Sequence, residues 1–113
     1  MKLVVAYIKP HKLAEVSLAL HGVAGLPGIT VADVRGWGRG KNQEEARSHA
    51  EQVRDFEPHV KIEVLCPRDR VQEVIGAISR AARTGLEGDG KIYVHAVEDA
   101  VRISDGERGE GAV

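Results

Sequence analysis

The chain has 113 residues, which suggests a single domain over residues 1–113. Its apolar share of 42% and charged share of 29% are typical of a globular protein, whereas its 4% of aromatic residues requires a core of aliphatic side chains. The formal net charge of −1 excludes an overall field that would attract nucleic acid or an anionic membrane, so we expect no nucleic-acid partner.

The first half of the chain is predicted to form a strand, a helix and a second strand. Residues 3–8 are apolar and β-branched, which favours a strand, and this run is too short for a signal peptide or a membrane helix. We therefore expect a cytoplasmic protein without direct membrane insertion. Helical i, i+3, i+4, i+7 spacing then joins Leu13, Val16, Ser17 and Leu20. Three glycines and a proline in residues 22–28 end this helix, and a strand follows at residues 29–35.

The same order repeats after residue 60. A strand over residues 60–65 is followed by Pro67 and then by Asp69, whose carboxylate oxygens suit a helix N-cap. The helix is predicted by apolar residues at the earlier spacing: Val71, Val74, Ile75 and Ile78. A final strand runs from Ile92 toward Val97. Two β-α-β units indicate a ferredoxin-like α+β fold with both helices on one face of a four-stranded antiparallel sheet, and another subunit is the expected cover for the other face.

A long polar segment separates the two halves. Residues 39–55, RGKNQEEARSHAEQVRD, are almost wholly polar, and an excursion of about twenty residues is far longer than a hairpin needs. We interpret residues 37–59 as an arm that projects from the sheet and makes functional contacts, with an idle loop as the alternative. The polar, glycine-rich tail at residues 104–113 is expected to be flexible or to fold over a partner subunit.

Two glycine-rich stretches are candidate anion sites. In Gly88-Asp89-Gly90-Lys91 the glycines allow backbone N–H groups to crowd around a phosphate, and the lysine supplies a cation. No Ser or Thr follows the lysine, so the stretch lacks the Walker pattern, and an ordinary turn is the alternative interpretation. Residues 35–41 alternate glycines with cations, which suits either phosphate binding by Arg39 or a solvated hinge.

Other reactive side chains give weak signals. Glu45 and His49 lie four residues apart and would share a metal on a helical arm, but two ligands make a weak site and solvated side chains are the alternative. Cys66 is the only cysteine, which excludes an internal disulfide, and no base is placed to activate it. No nucleophile with a paired base is evident, so we expect a protein that is not an enzyme, with no catalytic and no metal residues.

Four stretches resemble the PII signal-transduction family, that is, nitrogen regulatory protein P-II. They are YIKPHKLAEVSLAL near the start, VRGWGRGK entering the arm, DFEPHVKIEV leaving it and AARTGLEGDGKIYVHAVEDAVRI near the end. The last stretch is the most specific, and the resemblance covers nearly the whole chain. On these residues the chain is identified as a divergent PII-like member.

The resemblance implies a homotrimer of ferredoxin-like subunits that binds ATP, ADP or AMP as a regulatory ligand in clefts between neighbouring subunits, with the part played by Mg²⁺ left open. The arm would be the T-loop, which docks on a membrane transporter or a metabolic enzyme. By position, the adenine and ribose would meet Gly28, Ile29, Thr30 and Leu65. The phosphates would meet the base of the arm, the glycine-rich stretch at positions 88–91 and an arginine near the end of the chain: Gly36, Gly38, Arg39, Gly88, Asp89, Gly90, Lys91 and Arg102.

Four departures from the family pattern change the expected ligands and the expected modification of the protein. Gly40 and His59 stand where the family usually has a glutamine and a lysine that bind 2-oxoglutarate. A neutral imidazole binds an anion more weakly than a lysine does, and in a pH-dependent way. Gln52 stands at the tyrosine that many bacterial members uridylylate, and Ser104 at a second phosphate-binding arginine. We therefore expect 2-oxoglutarate sensing and uridylylation to be lost and ADP or AMP to be favoured. The alternative function is a metal-ion tolerance protein of the same trimeric fold.

Overall fold

The computed structural model describes residues 1–37 and 56–113, which form one four-stranded antiparallel sheet and two α-helices. In chain order the elements are β1 (Lys2–Ile8), α1 (Leu13–His21), β2 (Thr30–Gly36), β3 (Glu57–Cys66), α2 (Val71–Ala82) and β4 (Gly90–Ala96). The strands lie in the order β2-β3-β1-β4, and each neighbouring pair is antiparallel. This is the ferredoxin-like arrangement that the two β-α-β units predicted.

The hydrophobic core lies between the two helices and one face of the sheet. Alternate residues of β1 and β3 point into it, as the two-residue period of a strand requires. The helices contribute the apolar stripes predicted from their spacing, with Val16 and Leu20 buried on α1 and Val74 and Ile78 buried on α2. Across the described ranges, 1–37 and 56–113, no helix has the length and apolar character needed to cross a membrane.

The start of α2 differs from the sequence-based expectation. The prediction that Asp69 caps this helix is wrong, because Asp69 lies inside a short 3₁₀ turn, Arg68–Arg70, that precedes it. Pro67 is extended, and its carbonyl oxygen accepts a hydrogen bond from Arg70 N at 3.0 Å, which closes the turn. Arg70 then occupies the N-cap without a side-chain cap, so the tight turn takes the place of a capping side chain.

Two strands extend further than the sequence indicated. β3 begins at Glu57, which pairs with Gly36, so residues 57–59 of the expected arm belong to the sheet. β4 begins at Gly90 and ends at Ala96, so it takes up two residues of the glycine-rich stretch. Polar side chains are tolerated at these positions because an antiparallel sheet can leave one of its faces exposed to solvent.

The tail after β4 folds back on itself, and the expectation that it is flexible or folds over a partner subunit stays a prediction. Val101 pairs with Arg108 in an isolated bridge, and a 3₁₀ turn spans Gly109–Ala112. Met1 N lies 3.4 Å from a carboxylate oxygen of Glu110. The tail therefore lies at the end of the sheet where β1 begins.

Candidate functional site

A cleft of about 550 Å³ opens at the end of the sheet where β2 ends and β3 and β4 begin. It is lined by the base of the arm and by the glycine-rich loop that leads into β4: Gly36, Trp37, Glu57, Glu87, Gly88, Asp89, Gly90 and Lys91 are among its residues. Its floor includes Tyr7, His59 and Tyr93, which belong to the sheet face that no helix covers. Five residues predicted to contact phosphates, Gly36 and those at positions 88–91, are thus brought together within one subunit.

The glycine-rich loop is shaped by a cluster of three polar side chains. The Asp89 carboxylate accepts hydrogen bonds from Thr84 N at 2.9 Å, from Gly85 N at 3.2 Å and from the Thr84 hydroxyl. Lys9, which follows β1, donates from Nζ to Thr84 Oγ1 at 3.2 Å and lies 3.2 Å from Asp89 Oδ1. The side chain of Asp89 therefore folds the loop and is neutralised by Lys9, and its expected contact with a nucleotide stays a prediction.

These contacts predict a pH-dependent stability that rests on Asp89. The Thr84 hydrogen bonds, together with Lys9 and Gly85, hold the pKa of the Asp89 carboxyl well below its usual value near 3.9. A carboxyl with a lowered folded-state pKa stabilises the fold above its unfolded-state pKa, and that contribution is lost as pH falls through the folded-state pKa. We expect Asp89→Asn to lower the melting temperature at pH 7, and the difference from wild type to shrink progressively below about pH 4.

The control is Asp99→Asn, which removes a carboxylate in the tail, away from the loop, paired with Arg108 at 2.8 Å. Thermal melts of the two variants and the wild type between pH 7 and pH 2 check the prediction. A difference for Asp89→Asn that stays constant over that range would show that the carboxylate charge does not stabilise the loop.

Two glycines of the loop have backbone conformations that a side chain would oppose. Gly88 has φ of +82° and Gly90 has φ of +109°, both in the region that favours glycine. A Cβ on Gly90 would also overlap the backbone carbonyl of Tyr7 in β1. Gly90 therefore serves the close approach of β4 to β1, a structural role that the phosphate interpretation of the sequence did not include.

The cleft holds cations that are free to meet an anion. Lys91 and Arg35 line it, and within the described part of the chain neither has an ion pair. His59 also lines it, and its Nδ1 lies 3.3 Å from the carbonyl oxygen of Glu57, so that Nε2 is left for other partners. Three carboxylates share the cleft, Glu57, Glu87 and Asp89, so its positive charge is local to Lys91 and Arg35 rather than general.

The other predicted nucleotide contacts that lie among the described residues are at the opposite end of the sheet. Gly28, Ile29 and Thr30 lead into β2, Leu65 is near the end of β3, and Arg102 is in the tail. Thr30 and Gly36 are the two ends of β2, about 20 Å apart at the rise of an extended strand. Lys91 and Arg102 likewise lie at the two ends of the sheet, since Lys91 begins β4 and Arg102 lies in the tail beyond its last residue.

Arg102 is held by the tail. Its Nη1 donates to Asp105 Oδ2 at 2.9 Å and to Glu107 Oε2 at 2.7 Å, and its Nη2 donates to the carbonyl oxygen of Gly111 at 2.8 Å. The backbone closes the same turn, because Gly106 N donates to Arg102 O and Arg102 N donates to Glu107 O, each at 2.8 Å. The guanidinium that the sequence assigned to phosphate therefore has carboxylate partners of its own.

Several sequence-based expectations fall outside the described residues: Gly38, Arg39, Gly40, Lys41, Glu45, His49 and Gln52. Cys66 is described and is fully buried at the end of β3, where burial raises the pKa of its thiol, as fits a packing role. Among the residues that the structure describes, no group of three or more His, Cys, Asp or Glu side chains is arranged to hold a metal.

Sequence reasoning missed Lys9 and Thr84 as residues of the site. Lys9 lies 75 positions before Thr84, and nothing local to either residue indicates that they meet. The available signal was the carboxylate of Asp89 inside a candidate phosphate loop, since a buried or crowded anion requires a cation nearby.

Comparison with known proteins places this geometry in a family. The family model described as Nitrogen regulatory protein P-II matches residues 1–107. The proteins named Nitrogen regulatory protein P-II from Rhodospirillum rubrum, Mesorhizobium japonicum and Haemophilus influenzae are 51%, 52% and 46% identical to this chain over 113 residues, and each match covers 100% of both chains.

A solved structure supports the same assignment. The crystal structure of Arabidopsis thaliana PII bound to citrate superposes with a TM-score of 0.80 at 39% identity, covering 99% of this chain and 91% of that one. The fold, the glycine-rich loop and the full-length matches agree. The chain therefore belongs to the nitrogen regulatory protein P-II family, whose members are signal-transduction regulators rather than enzymes.

Proposed function

We propose that this protein is a PII-type regulator in the cytoplasm that binds ATP or ADP, with AMP as a further ligand, in clefts shared by neighbouring subunits of a homotrimer. The ligand would change the contacts of the arm at residues 37–59, and the arm would dock on a membrane transporter or a metabolic enzyme. Such control is a population shift, in which the nucleotide stabilises one arm conformation over another through differential contacts.

The observation that carries the proposal is the separation of the two groups of predicted contacts. Lys91 and Arg102 are both expected at the phosphates, yet Lys91 begins β4 and Arg102 lies in the tail beyond the last residue of that strand, and Lys91 and Ala96 are about 17 Å apart at the rise of an extended strand. This placement favours a ligand that meets the two cations from different copies of the chain. This geometry supports a site completed by a neighbouring subunit.

The uncovered sheet face supports the oligomer. Tyr7 and Tyr93 lie on this face, and their rings meet edge to face with centroids 6.2 Å apart. Tyr93 remains 48% exposed in the single subunit. An aromatic pair on an otherwise open sheet face is suited to burial against another copy of the chain, and oligomerisation provides the apolar burial that a domain of this size lacks.

The cleft is suited to an anion. Lys91 and Arg35 are available in it, and the Arabidopsis relative has been solved bound to citrate, an organic polyanion. Trp37, the chain's single tryptophan, lines the same cleft and is 52% exposed, so its fluorescence would report ligand binding directly.

We predict that nucleotide binds without help from 2-oxoglutarate. Calorimetry and Trp37 fluorescence titrations with ATP, ADP and AMP should each detect binding, and 2-oxoglutarate should change the ATP dissociation constant by less than about twofold. The physical reason is His59, because an imidazole, unlike the ammonium of a lysine, is not a permanent cation for a carboxylate.

The matched variant for this prediction is His59→Lys, which places a permanent cation at the same point of the cleft. A wild-type protein whose ATP affinity rises tenfold or more with 2-oxoglutarate would show that His59 does not abolish sensing. Absence of any fluorescence or heat signal at millimolar nucleotide would contradict the proposed ligand itself.

A further inference from the structure

The tail places two carboxylates on the guanidinium that the proposed function assigns to phosphate. Asp105 and Glu107 both accept from Nη1 of Arg102, and the Gly111 carbonyl accepts from Nη2. Three of the five N–H donors of the guanidinium are therefore occupied within the subunit. The occupied end, formed by Nη1 and Nη2, is one of the forks with which an arginine grips a phosphate in a bidentate manner.

The local charge balance disfavours a phosphate. One guanidinium faces two carboxylates, so the group carries a net negative charge while the contacts are in place. A backbone hydrogen bond from Glu107 and the contact with Arg102 lower the pKa of the Asp105 carboxyl, which keeps it charged throughout the neutral range. An approaching phosphate therefore meets repulsion that grows with its own charge.

The contacts are also able to exchange. The side chains of Arg102, Asp105 and Glu107 are 39%, 50% and 49% exposed. Ion pairs at such exposure are weak, because water and salt screen them and both side chains lose rotamer freedom. A polyphosphate can thus displace these carboxylates, although the displacement weakens its binding.

We propose that Asp105 and Glu107 are specificity-determining residues that compete with nucleotide phosphates for Arg102 and so lower the affinity for ATP more than for AMP. This inference rests on the proposed nucleotide site and adds the tail as the element that sets its preference. The opposing interpretation is that the carboxylates only fix the orientation of Arg102, in which case their removal weakens binding. The two interpretations predict changes of opposite sign.

The test is Asp105→Asn in the full-length protein. The amide oxygen of asparagine can still accept the hydrogen bond that Glu107 N donates to Asp105 Oδ1 at 3.0 Å, so the turn keeps its backbone contact while one negative charge is lost. We expect ATP to bind about fivefold more tightly and AMP about twofold more tightly, since the Coulomb contribution scales with ligand charge and is screened by salt. Glu107→Gln should give the same pattern and serves as the second variant.

The control is Glu110→Gln, which removes one carboxylate from the same tail at a position that contacts Met1 N and not Arg102. Its nucleotide affinities should equal those of the wild type. ATP binding that both Asp105→Asn and Glu107→Gln leave unchanged or weaken would overturn this inference alone. A wild type that binds no adenine nucleotide would overturn the proposed function and this inference together.

Discussion

Mixed trimers of Lys91→Ala and Arg102→Ala subunits should bind ATP more tightly than trimers of either variant alone. Each substitution removes one charge-assisted contact to phosphate, so each pure variant is expected to lose about 10- to 100-fold in ATP affinity. In a mixed trimer, one cleft is formed by the intact Lys91 of one subunit and the intact Arg102 of its neighbour. That cleft should bind with wild-type affinity.

Co-expression of the two variants with different affinity tags, followed by purification through both tags, isolates the mixed trimers for calorimetry. The expected stoichiometry is about one tight ATP per trimer, because the other clefts lack at least one cation. Arg108→Ala serves as the control, since Arg108 is a more exposed tail arginine that pairs with Asp99. Pure variants with wild-type affinity, or verified mixed trimers without a tight site, would refute a site shared between subunits.

The strands and helices were predictable because they follow local apolar spacing. The stripe of Val16 and Leu20 on α1, and the matching stripe on α2, determine which faces become buried. The start of α2 was not predictable from the sequence pattern, because the N-cap is Arg70 and not Asp69. The fixed geometry of Pro67 favours a 3₁₀ turn there, and a turn of three residues moves the helix start past the capping side chain.

In the candidate site too, features set by local sequence were predictable and features set by long-range contacts were not. The loop at positions 88–91 was a candidate from the sequence, and Arg102 from the family resemblance, whereas the neutralisation of Asp89 by Lys9 depends on a contact across 80 positions. The position of Arg102 relative to Lys91 follows from the strand β4 between them, which the sequence predicted from Ile92 toward Val97. The partners of Arg102 are close in sequence, but only the turn brings both to the same nitrogen.

Gly90→Ala is expected to cause the largest loss of stability among single methyl additions in the glycine-rich loop. The new Cβ would overlap the carbonyl of Tyr7, which belongs to the backbone of β1 and cannot move aside by changing rotamer. The φ of +109° adds strain for any residue with a side chain. Because β1 pairs with both β3 and β4, displacement at this point disturbs the centre of the sheet, and we expect a loss of at least about 3 kcal/mol in the free energy of unfolding.

The matched control is Gly88→Ala, two residues earlier. Gly88 has φ of +82°, but a Cβ there would lie 3.7 Å from Cε of Lys9, an ordinary contact with a flexible side chain. In this variant the free energy of unfolding should fall only by what a side chain costs in a left-handed backbone conformation, about 1–2 kcal/mol. Denaturant unfolding of both variants at one protein concentration measures the difference, which isolates the overlap with β1. Equal stability of the two variants would mean that β4 can shift away from β1 at little cost, and that Gly90 is required only for its φ.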